Sequence, residues 1–247
     1  MTEREKHFID ERFADPAQRQ AAYDRLSAHE PLAYILGEWY FYDEVYHLNR
    51  DCLIPRADTE HLVEAGIRRL PKNARFLDLC TGSGCVAISI LRHRPDLTAL
   101  ALDIAPGALE MASENAALNG VAERIELLCG DLLSETLRIP GTFGGLVSNP
   151  PYIRPEVIEG LSEEVRREPR AALDGGEDGL VFYRRIAQLA PGLLLPGAPV
   201  LVEIGYDQAD AVCALFGAPR TSVLRDYGGN DRVVCAVRED LERAQSR

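Results

Sequence analysis

The chain has 247 residues, of which 46% are hydrophobic and 27% are charged, and its formal net charge is −12 at pH 7. This length allows one large α/β domain with a small appendage, and no apolar run approaches the roughly 18 residues that a membrane span needs. The charged N-terminus predicts neither export nor anchoring, and the acidic balance disfavours nucleic acid, whose partners usually present a basic surface. We therefore expect a cytoplasmic protein with no membrane partner and no direct nucleic-acid partner.

The spacing of the cysteines and histidines predicts no metal site. The chain has no CxxC pair, and no His lies at zinc-like spacing from a cysteine. Several cysteines fall inside apolar runs, so we expect buried, reduced thiols. The six are Cys52, Cys80, Cys85, Cys129, Cys213 and Cys235.

The first 72 residues predict small elements outside the main domain. Residues 17–29 have the pattern of one amphipathic helix, which is too small to form a core alone. The stretch EWYFYDEVYHLN (38–49) is aromatic and β-branched on both sides of an Asp-Glu pair, which predicts a β-hairpin. The run DTE at 58–60 then supplies N-cap chemistry for a helix that reaches Pro71.

From residue 73 onward, predicted strands and helices alternate, which indicates a mostly parallel sheet with helices on both faces. Two β-rich runs within 222–237 flank a YGGND turn and instead predict an antiparallel hairpin at the sheet edge. We expect three parts: a helical segment over 1–37, a hairpin with a connecting helix over 38–72, and the main domain over 73–247. The predicted strands are 75–80, 97–103, 124–130, 144–149 and 199–205, and the predicted helices are 84–93, 106–119 and 179–194.

Two polar segments follow the first two strands of this domain. DLCTGSG (78–84) places glycines between a strand and a helix, where the backbone can approach a ligand. Asp103 ends the next strand about twenty residues later, where its carboxylate could accept both hydroxyls of a ribose. The pair predicts a site for a nucleoside-containing cofactor. One alternative is purely structural, a tight strand-to-helix turn. The other is a dinucleotide-binding site, although the third glycine of G-x-G-x-x-G is missing.

The stretch NPPY (149–152) falls at the carboxyl end of the fourth strand, beside the proposed cofactor site. The Asn149 side-chain oxygen and the Pro150 carbonyl can accept hydrogen bonds from one substrate –NH₂ group, and the fixed φ of proline keeps them pointed outward. The Tyr152 ring can stack on a planar amide or base. Two acceptors that draw the hydrogens of a conjugated nitrogen out of plane expose its lone pair to an electrophile. The residues thus predict the transfer of an electrophilic group to a substrate nitrogen without a strong base, with Asn149, Pro150 and Tyr152 as catalytic residues.

Taken together, DLCTGSG, Asp103, the Gly130-Asp131 pair and NPPY resemble class I S-adenosylmethionine-dependent methyltransferases that act on planar nitrogens. A terminal antiparallel hairpin also suits their sheet. Further segments resemble the protein-(glutamine-N5) methyltransferases of the PrmC/HemK type, which modify the Gln of the Gly-Gly-Gln motif in bacterial peptide-chain release factors. Those segments are PLAYILGEWYFY (31–42), LIPRADTEHLVE (53–64), EVRREPRAALDGGEDGL (164–180) and RDYGGNDRVV (225–234).

The resemblance implies a Rossmann-like, mostly parallel seven-stranded sheet with a terminal antiparallel hairpin, plus a small N-terminal helix and β-hairpin. It implies S-adenosylmethionine as cofactor and a release factor as protein substrate. Residues 80–84 would surround the methionine part, Asp103 would hold the ribose, and Asp131 with Leu132 would lie at the adenine. The implied cofactor residues are Cys80, Thr81, Gly82, Ser83, Gly84, Asp103, Asp131, Leu132 and Asn149. The implied substrate residues are Asn149, Pro150, Pro151, Tyr152 and Arg56. Arg56 would border the active-site mouth beside Pro55.

The chain departs from the family pattern at two places. Many members have Gly where this chain has Cys80, a change that should be tolerated if φ stays negative there. Members usually begin with a larger helical bundle that helps engage the release factor, whereas about thirty residues precede PLAYILGE here. We therefore expect docking to rest on residues 31–60 and on the 155–178 segment.

Three alternatives to this function stay open. An enzyme that methylates Gln in a ribosomal protein shares the fold and NPPY, although IPRADTE favours the release-factor substrate. A nucleic-acid adenine N6-methyltransferase uses the same acceptor chemistry but would need a basic surface or an added base-recognition domain. A non-catalytic binding module is disfavoured because the cofactor loop, DLCTGSG (78–84), and the acceptor clamp, NPPY (149–152), are both intact. The charged run SEEVRREPR (162–170) is most often a solvated face, and its functional alternative is a cover over the active-site mouth.

Overall fold

Three short helices and a β-hairpin precede the main domain in the computed structural model, which describes residues 2–218 and 220–245. Ile9, Ala22 and Ile35 meet in a small apolar cluster that holds the three helices together. The hairpin is confirmed, but the helix at 3–12 was not predicted, because its sequence is largely charged and buries only Ile9. These elements are α1 Glu3–Arg12, α2 Pro16–Ser27, α3 Leu32–Leu36, β1 Glu38–Phe41 and β2 Glu44–His47.

A seven-stranded sheet forms the main domain. Its strands are β3 Arg75–Leu79, β4 Thr98–Asp103, β5 Ile125–Cys129, β6 Gly145–Ser148, β7 Pro199–Glu203, β8 Ser222–Arg225 and β9 Asp231–Val237. Their order across the sheet is β5-β4-β3-β6-β7-β9-β8. Strands β3 to β7 pair in parallel, and β9 runs antiparallel to both β7 and β8. The mostly parallel sheet with a terminal antiparallel hairpin is therefore confirmed.

Helices cover both faces of this sheet, because alternate strand residues point in opposite directions. The helices are α4 Glu60–Arg69, α5 Cys85–His93, α6 Pro106–Leu118, α7 Pro155–Ile158, α8 Glu163–Arg166, α9 Val181–Leu193, α10 Ala209–Phe216 and α11 Arg238–Gln245. Leu77 faces a core built with α9, α10 and α11, whereas its neighbour Phe76 faces a core built with α4, α5 and α6.

Two of these helices, α10 and α11, were not predicted, since eight residues are too few for a clear apolar period. No helix within residues 2–218 and 220–245 is long and apolar enough to cross a membrane.

The start of α4 differs from the predicted cap. A 3-10 turn, Ala57–Thr59, precedes the helix, and the Thr59 side chain makes no capping hydrogen bond. The N-cap prediction is wrong because Thr59 has helical backbone angles and its hydroxyl is used elsewhere: it accepts a hydrogen bond from Asn149 at 3.2 Å. This contact ties the start of α4 to the loop that follows β6.

Candidate active site

A cavity of about 460 Å³ opens at the carboxyl ends of β3, β4 and β6, and this volume is typical of small-molecule sites. Strand β3 lies between β4 and β6, so the strand order changes direction here, which is where parallel sheets bind ligands. The cavity therefore lies where the two predicted motifs converge. Of the predicted site residues, those in its wall are Arg56, Cys80, Thr81, Gly82, Ser83, Asp103, Asp131, Leu132, Asn149 and Pro151, and Pro55 joins them.

Three predicted site residues lie outside the cavity wall. Gly84 starts α5 at φ +81°, and a Cβ there would come within 2.8 Å of Ile88, so this glycine allows a tight turn and close packing. Pro150 is buried behind Asn149. The Tyr152 ring packs partly into the core, and its hydroxyl points away from the cavity.

Two carboxyls, the buried Asp78 and the partly buried Asp103, face the cavity from neighbouring strands. Asp103 accepts hydrogen bonds from the backbone N–H groups of Gly82 at 2.8 Å and Ala105 at 3.0 Å, and Asp78 accepts from the Thr81 hydroxyl at 2.6 Å. Burial raises the pKa of Asp103 above its ordinary value, and it raises the pKa of Asp78 to about 7. A cationic ligand in the cavity would favour the ionised form of both groups.

The Asn149 side chain is held by Thr59, a residue that sequence reasoning placed in a helix cap and not in the site. Asn149 Nδ2 donates to Thr59 Oγ1 at 3.2 Å, and Thr59 is only 2% exposed. With Nδ2 engaged in this way, Oδ1 can accept a hydrogen bond from a ligand. The signal that could have found Thr59 was its place in IPRADTE, three residues after Arg56.

A buried carboxyl lies behind NPPY. Glu203 ends β7, is 1% exposed, and accepts a hydrogen bond at Oε1 from the Tyr152 hydroxyl at 3.3 Å. Burial raises the pKa of Glu203 to about 7, while the hydroxyl of Thr59, the charge of Arg232 and the Tyr152 hydroxyl oppose that rise. The rule that strands carry ligands at their carboxyl ends would have indicated Glu203, since β7 adjoins β6.

The 155–178 segment folds back onto the clamp loop. The Ile153 N–H donates to the Leu173 carbonyl at 2.9 Å, and the Gly175 N–H donates to the Ile153 carbonyl at 2.9 Å. A Cβ at Gly175 would lie 2.6 Å from the Tyr152 backbone, so only glycine permits this approach. The segment thus forms one side of the cavity, to which it contributes Pro169, Ala171, Ala172 and Asp174.

The charged run at 162–170 contains a buried anchor. Glu168 is 5% exposed, accepts from the Ile54 backbone N–H at 3.0 Å, and pairs with Arg56. This contact joins IPRADTE to the 155–178 segment across the mouth of the cavity. The run is therefore more than the solvated face that its composition first indicates.

Cys80 has a backbone conformation that the sequence pattern did not predict. Its φ is +60°, in the left-handed region, where an L-residue costs about 1–2 kcal/mol relative to its ordinary conformation. The condition that φ stays negative is therefore not met, and this part of the expectation is wrong. Its thiol partly offsets the cost by packing against the main core.

We expect the Cys80→Gly variant to be more stable than the Cys80→Ala variant by about 1 kcal/mol, because both lose the thiol and only Ala keeps the left-handed strain. Urea unfolding of the two proteins, monitored by circular dichroism, measures this difference. Equal midpoints and slopes would show that the conformation costs nothing here.

Comparisons with known proteins place this site in a family. The family model for the methyltransferase small domain matches residues 59–187. A release factor glutamine methyltransferase from Cereibacter sphaeroides is 42% identical over 224 residues, which cover 89% of this chain and 79% of that protein. One from Moorella thermoacetica is 43% identical over 225 residues, with 89% and 79% covered. The solved ribosomal protein L11 methylase of Lactobacillus delbrueckii subsp. bulgaricus shares the fold, with a TM-score of 0.52 and 24% identity over 74% of this chain and 80% of that one.

The cavity fits the cofactor of this fold, S-adenosylmethionine, which supplies an electrophilic methyl group. The cavity volume suits a ligand of that size, and the buried Asp78 and partly buried Asp103 carboxyls suit a ligand with positive charge. Fold, cofactor cavity and sequence identity agree. The chain belongs to the release factor glutamine methyltransferases, a family of class I S-adenosylmethionine-dependent enzymes.

Proposed function

We propose that this enzyme methylates the side-chain amide nitrogen, N5, of the glutamine in the Gly-Gly-Gln motif of a peptide-chain release factor. The observation that carries the proposal is the Asn149 amide, which Thr59 holds by its Nδ2 in the wall of the cofactor cavity, so that its oxygen can accept a hydrogen bond from a ligand. The names of relatives that are more than 40% identical over most of this chain support the same substrate. We place the reaction in the cytoplasm, with the release factor as protein partner.

The cofactor is proposed to lie along the carboxyl ends of β3 to β5. Residues 80–83 would border its methionine part, and Gly84 would allow the turn that follows them. Asp103 would accept the ribose hydroxyls, since its two backbone hydrogen bonds leave further lone pairs available. Asp131, whose Oδ1 accepts the Leu133 N–H at 2.8 Å, would lie with Leu132 at the adenine.

The substrate amide is proposed to bind between Asn149 and Pro150. Asn149 Oδ1 and the Pro150 carbonyl would accept its two N–H hydrogens and draw them out of the amide plane, which frees the nitrogen lone pair. The bond from this nitrogen to the methyl group would form as the methyl–sulfur bond breaks, which leaves S-adenosylhomocysteine, and the nitrogen would give up one of its two protons. Pro151 would border the planar group, Tyr152 would support this loop from the core side, and Arg56 would line the entrance. Holding the nitrogen in line at about 3–3.5 Å from the methyl carbon lowers the barrier by roughly 7–11 kcal/mol at best, so positioning is the main task of these residues.

An assay with radiolabelled S-adenosylmethionine tests the substrate class. Separate reactions contain an intact release factor, a ribosomal protein and duplex DNA. We expect label on the release factor, because the net charge of −12 opposes approach to a polyphosphate. Label on DNA or on the ribosomal protein, with none on the release factor, would overturn the proposal.

Arg56 tests whether docking depends on the cavity mouth. We expect Arg56→Ala to lower kcat/KM by about tenfold or more, because it leaves the buried Glu168 carboxyl without its cation and loosens the 155–178 segment. Deleting residues 1–28 should reduce kcat/KM less, since α1 and α2 contribute only a small apolar cluster. Steady-state rates on the folded release factor measure both effects.

Arg68→Ala is the matched control, since Arg68 makes an exposed pair with Glu64 on α4. A larger loss in the deletion variant than in Arg56→Ala would assign docking to the N-terminal helices instead.

A further inference from the structure

A chain of polar side chains runs beneath the clamp and ends in a buried carboxyl. Asn149 Nδ2 donates to Thr59 Oγ1 at 3.2 Å, the Thr59 hydroxyl lies against the Glu203 carboxyl, and Tyr152 donates to Glu203 Oε1 at 3.3 Å. Thr59 and Glu203 are 2% and 1% exposed, so water competes little for these contacts. We infer that Glu203 is a positioning residue that acts through the Thr59 hydroxyl to keep Asn149 Oδ1 facing the substrate amide. This inference rests on the proposed function and assigns a further residue to it.

The donor-to-acceptor direction of these side-chain contacts follows from the Glu203 carboxylate at which they end. An ionised carboxylate only accepts hydrogen bonds, and Oε2 of Glu203 meets no donor at full hydrogen-bond geometry within residues 2–218 and 220–245. The Thr59 hydroxyl lies close enough to the Glu203 carboxyl to lower its pKa, so its hydrogen can point to that carboxyl. Once its single hydrogen points to Glu203, Thr59 presents only lone pairs to Asn149. Asn149 must then offer Nδ2 to Thr59, and its Oδ1 turns to the cavity.

Strand register fixes these groups in place. Ser148 pairs with Val202 between β6 and β7, so the next residues along the chain, Asn149 and Glu203, lie side by side at the carboxyl ends of these strands. Thr59 reaches both from the turn before α4. Rigid elements thus support the Asn149 side-chain amide, and a site that is held in this way loses little alignment during turnover.

The ionisation of Glu203 determines the pH range in which the Thr59 hydroxyl points to it. Burial raises the pKa of Glu203 from its ordinary range to about 7. The carboxylate therefore exists above that pH, and the proton returns as the pH falls through it. A protonated carboxyl has a hydrogen to donate, so the acceptor-only polarity is then lost. The charged and titratable groups around it are Arg232 from β9, Asp58 from the turn before α4, Tyr152 from the clamp loop, Tyr183 from α9 and Cys85 from α5.

Replacing Glu203 with Gln keeps the side-chain volume but puts a donor –NH₂ group in place of one acceptor oxygen. The Tyr152 hydrogen still needs the remaining oxygen, so the new –NH₂ group faces Thr59. The Thr59 hydrogen then turns toward Asn149, whose amide flips and presents Nδ2 to the substrate. We expect Glu203→Gln to lower kcat by about tenfold or more, while the affinity for S-adenosylmethionine stays within about twofold of wild type.

Thr59 provides the matched pair of variants. Thr59→Val removes the hydroxyl and should lose kcat as Glu203→Gln does, whereas Thr59→Ser keeps the hydroxyl and should restore it. A purely structural role would lower thermal stability in these variants without this split between kcat and cofactor affinity. Wild-type kcat in both Glu203→Gln and Thr59→Val would overturn the inference.

A measurement without substrate separates this inference from the proposed function. The side-chain amide signal of Asn149 in a ¹⁵N NMR spectrum, assigned by its loss in Asn149→Ala, should shift with a midpoint near pH 7. The shift should be absent in Glu203→Gln, and if that variant does not fold, Thr59→Val serves in its place. A signal that does not change with pH in the wild type overturns the inference. A titrating signal in an enzyme that methylates no release factor supports the inference and rejects the proposed substrate.

Discussion

Replacing Asn149 with Ala is expected to lower kcat by about 100-fold or more while S-adenosylmethionine still binds. The variant loses the acceptor that holds the substrate –NH₂ group, and such an interaction matters most as the amide nitrogen becomes pyramidal. Removal of one preorganised hydrogen-bonding group from an active site typically costs about 100- to 1,000-fold in kcat. Single-turnover rates on the folded release factor, together with calorimetry of cofactor binding, separate the two effects.

Asn119→Ala is the control for this experiment, because Asn119 also makes side-chain hydrogen bonds, to the Val45 and Asn115 carbonyls, but does not line the cavity. Its turnover should match that of the wild type. Retention of wild-type kcat in Asn149→Ala would remove the clamp from the mechanism.

Replacing Asp103 with Ala is expected to weaken S-adenosylmethionine binding by about 1–3 kcal/mol, which is roughly 5- to 150-fold in Kd. The variant loses the acceptor for the ribose hydroxyls and frees the backbone N–H groups of Gly82 and Ala105 that Asp103 now holds. The glycine loop therefore becomes less well ordered for the cofactor. Isothermal titration calorimetry measures the affinity directly.

Asp10→Ala provides a matched loss of one hydrogen-bonded carboxylate, since Asp10 accepts from Tyr23 at 2.6 Å far from the cavity-lining residues. Its cofactor affinity should not change. An unchanged Kd in Asp103→Ala would exclude Asp103 from the cofactor site.

The sequence predicts the part of the site that depends on strand order. DLCTGSG, Asp103 and NPPY each follow a recognisable strand, and parallel pairing brings their carboxyl ends to one edge. Each predicted strand and helix of the main domain is present, with ends shifted by at most two residues. Local pattern and topology suffice for these elements.

The supporting contacts depend on residues far apart in the chain. Asn149 and Thr59 are 90 positions apart, and Ile54 and Glu168 are 114 apart. Propensity and spacing describe only neighbours along the chain, so they indicated a helix cap at Thr59 and a solvated run around Glu168. The left-handed Cys80 was also missed, because a residue other than glycine rarely adopts a positive φ and its local sequence does not reveal one.

Tandem mass spectrometry of an intact release factor after reaction with the enzyme and S-adenosylmethionine tests the central claim most directly. We expect one added methyl group on the side-chain nitrogen of the glutamine in the Gly-Gly-Gln motif, and none when that glutamine is replaced by Ala. A methyl group on any other residue of the factor, or the same methylation of the Ala-substituted factor, would contradict the account.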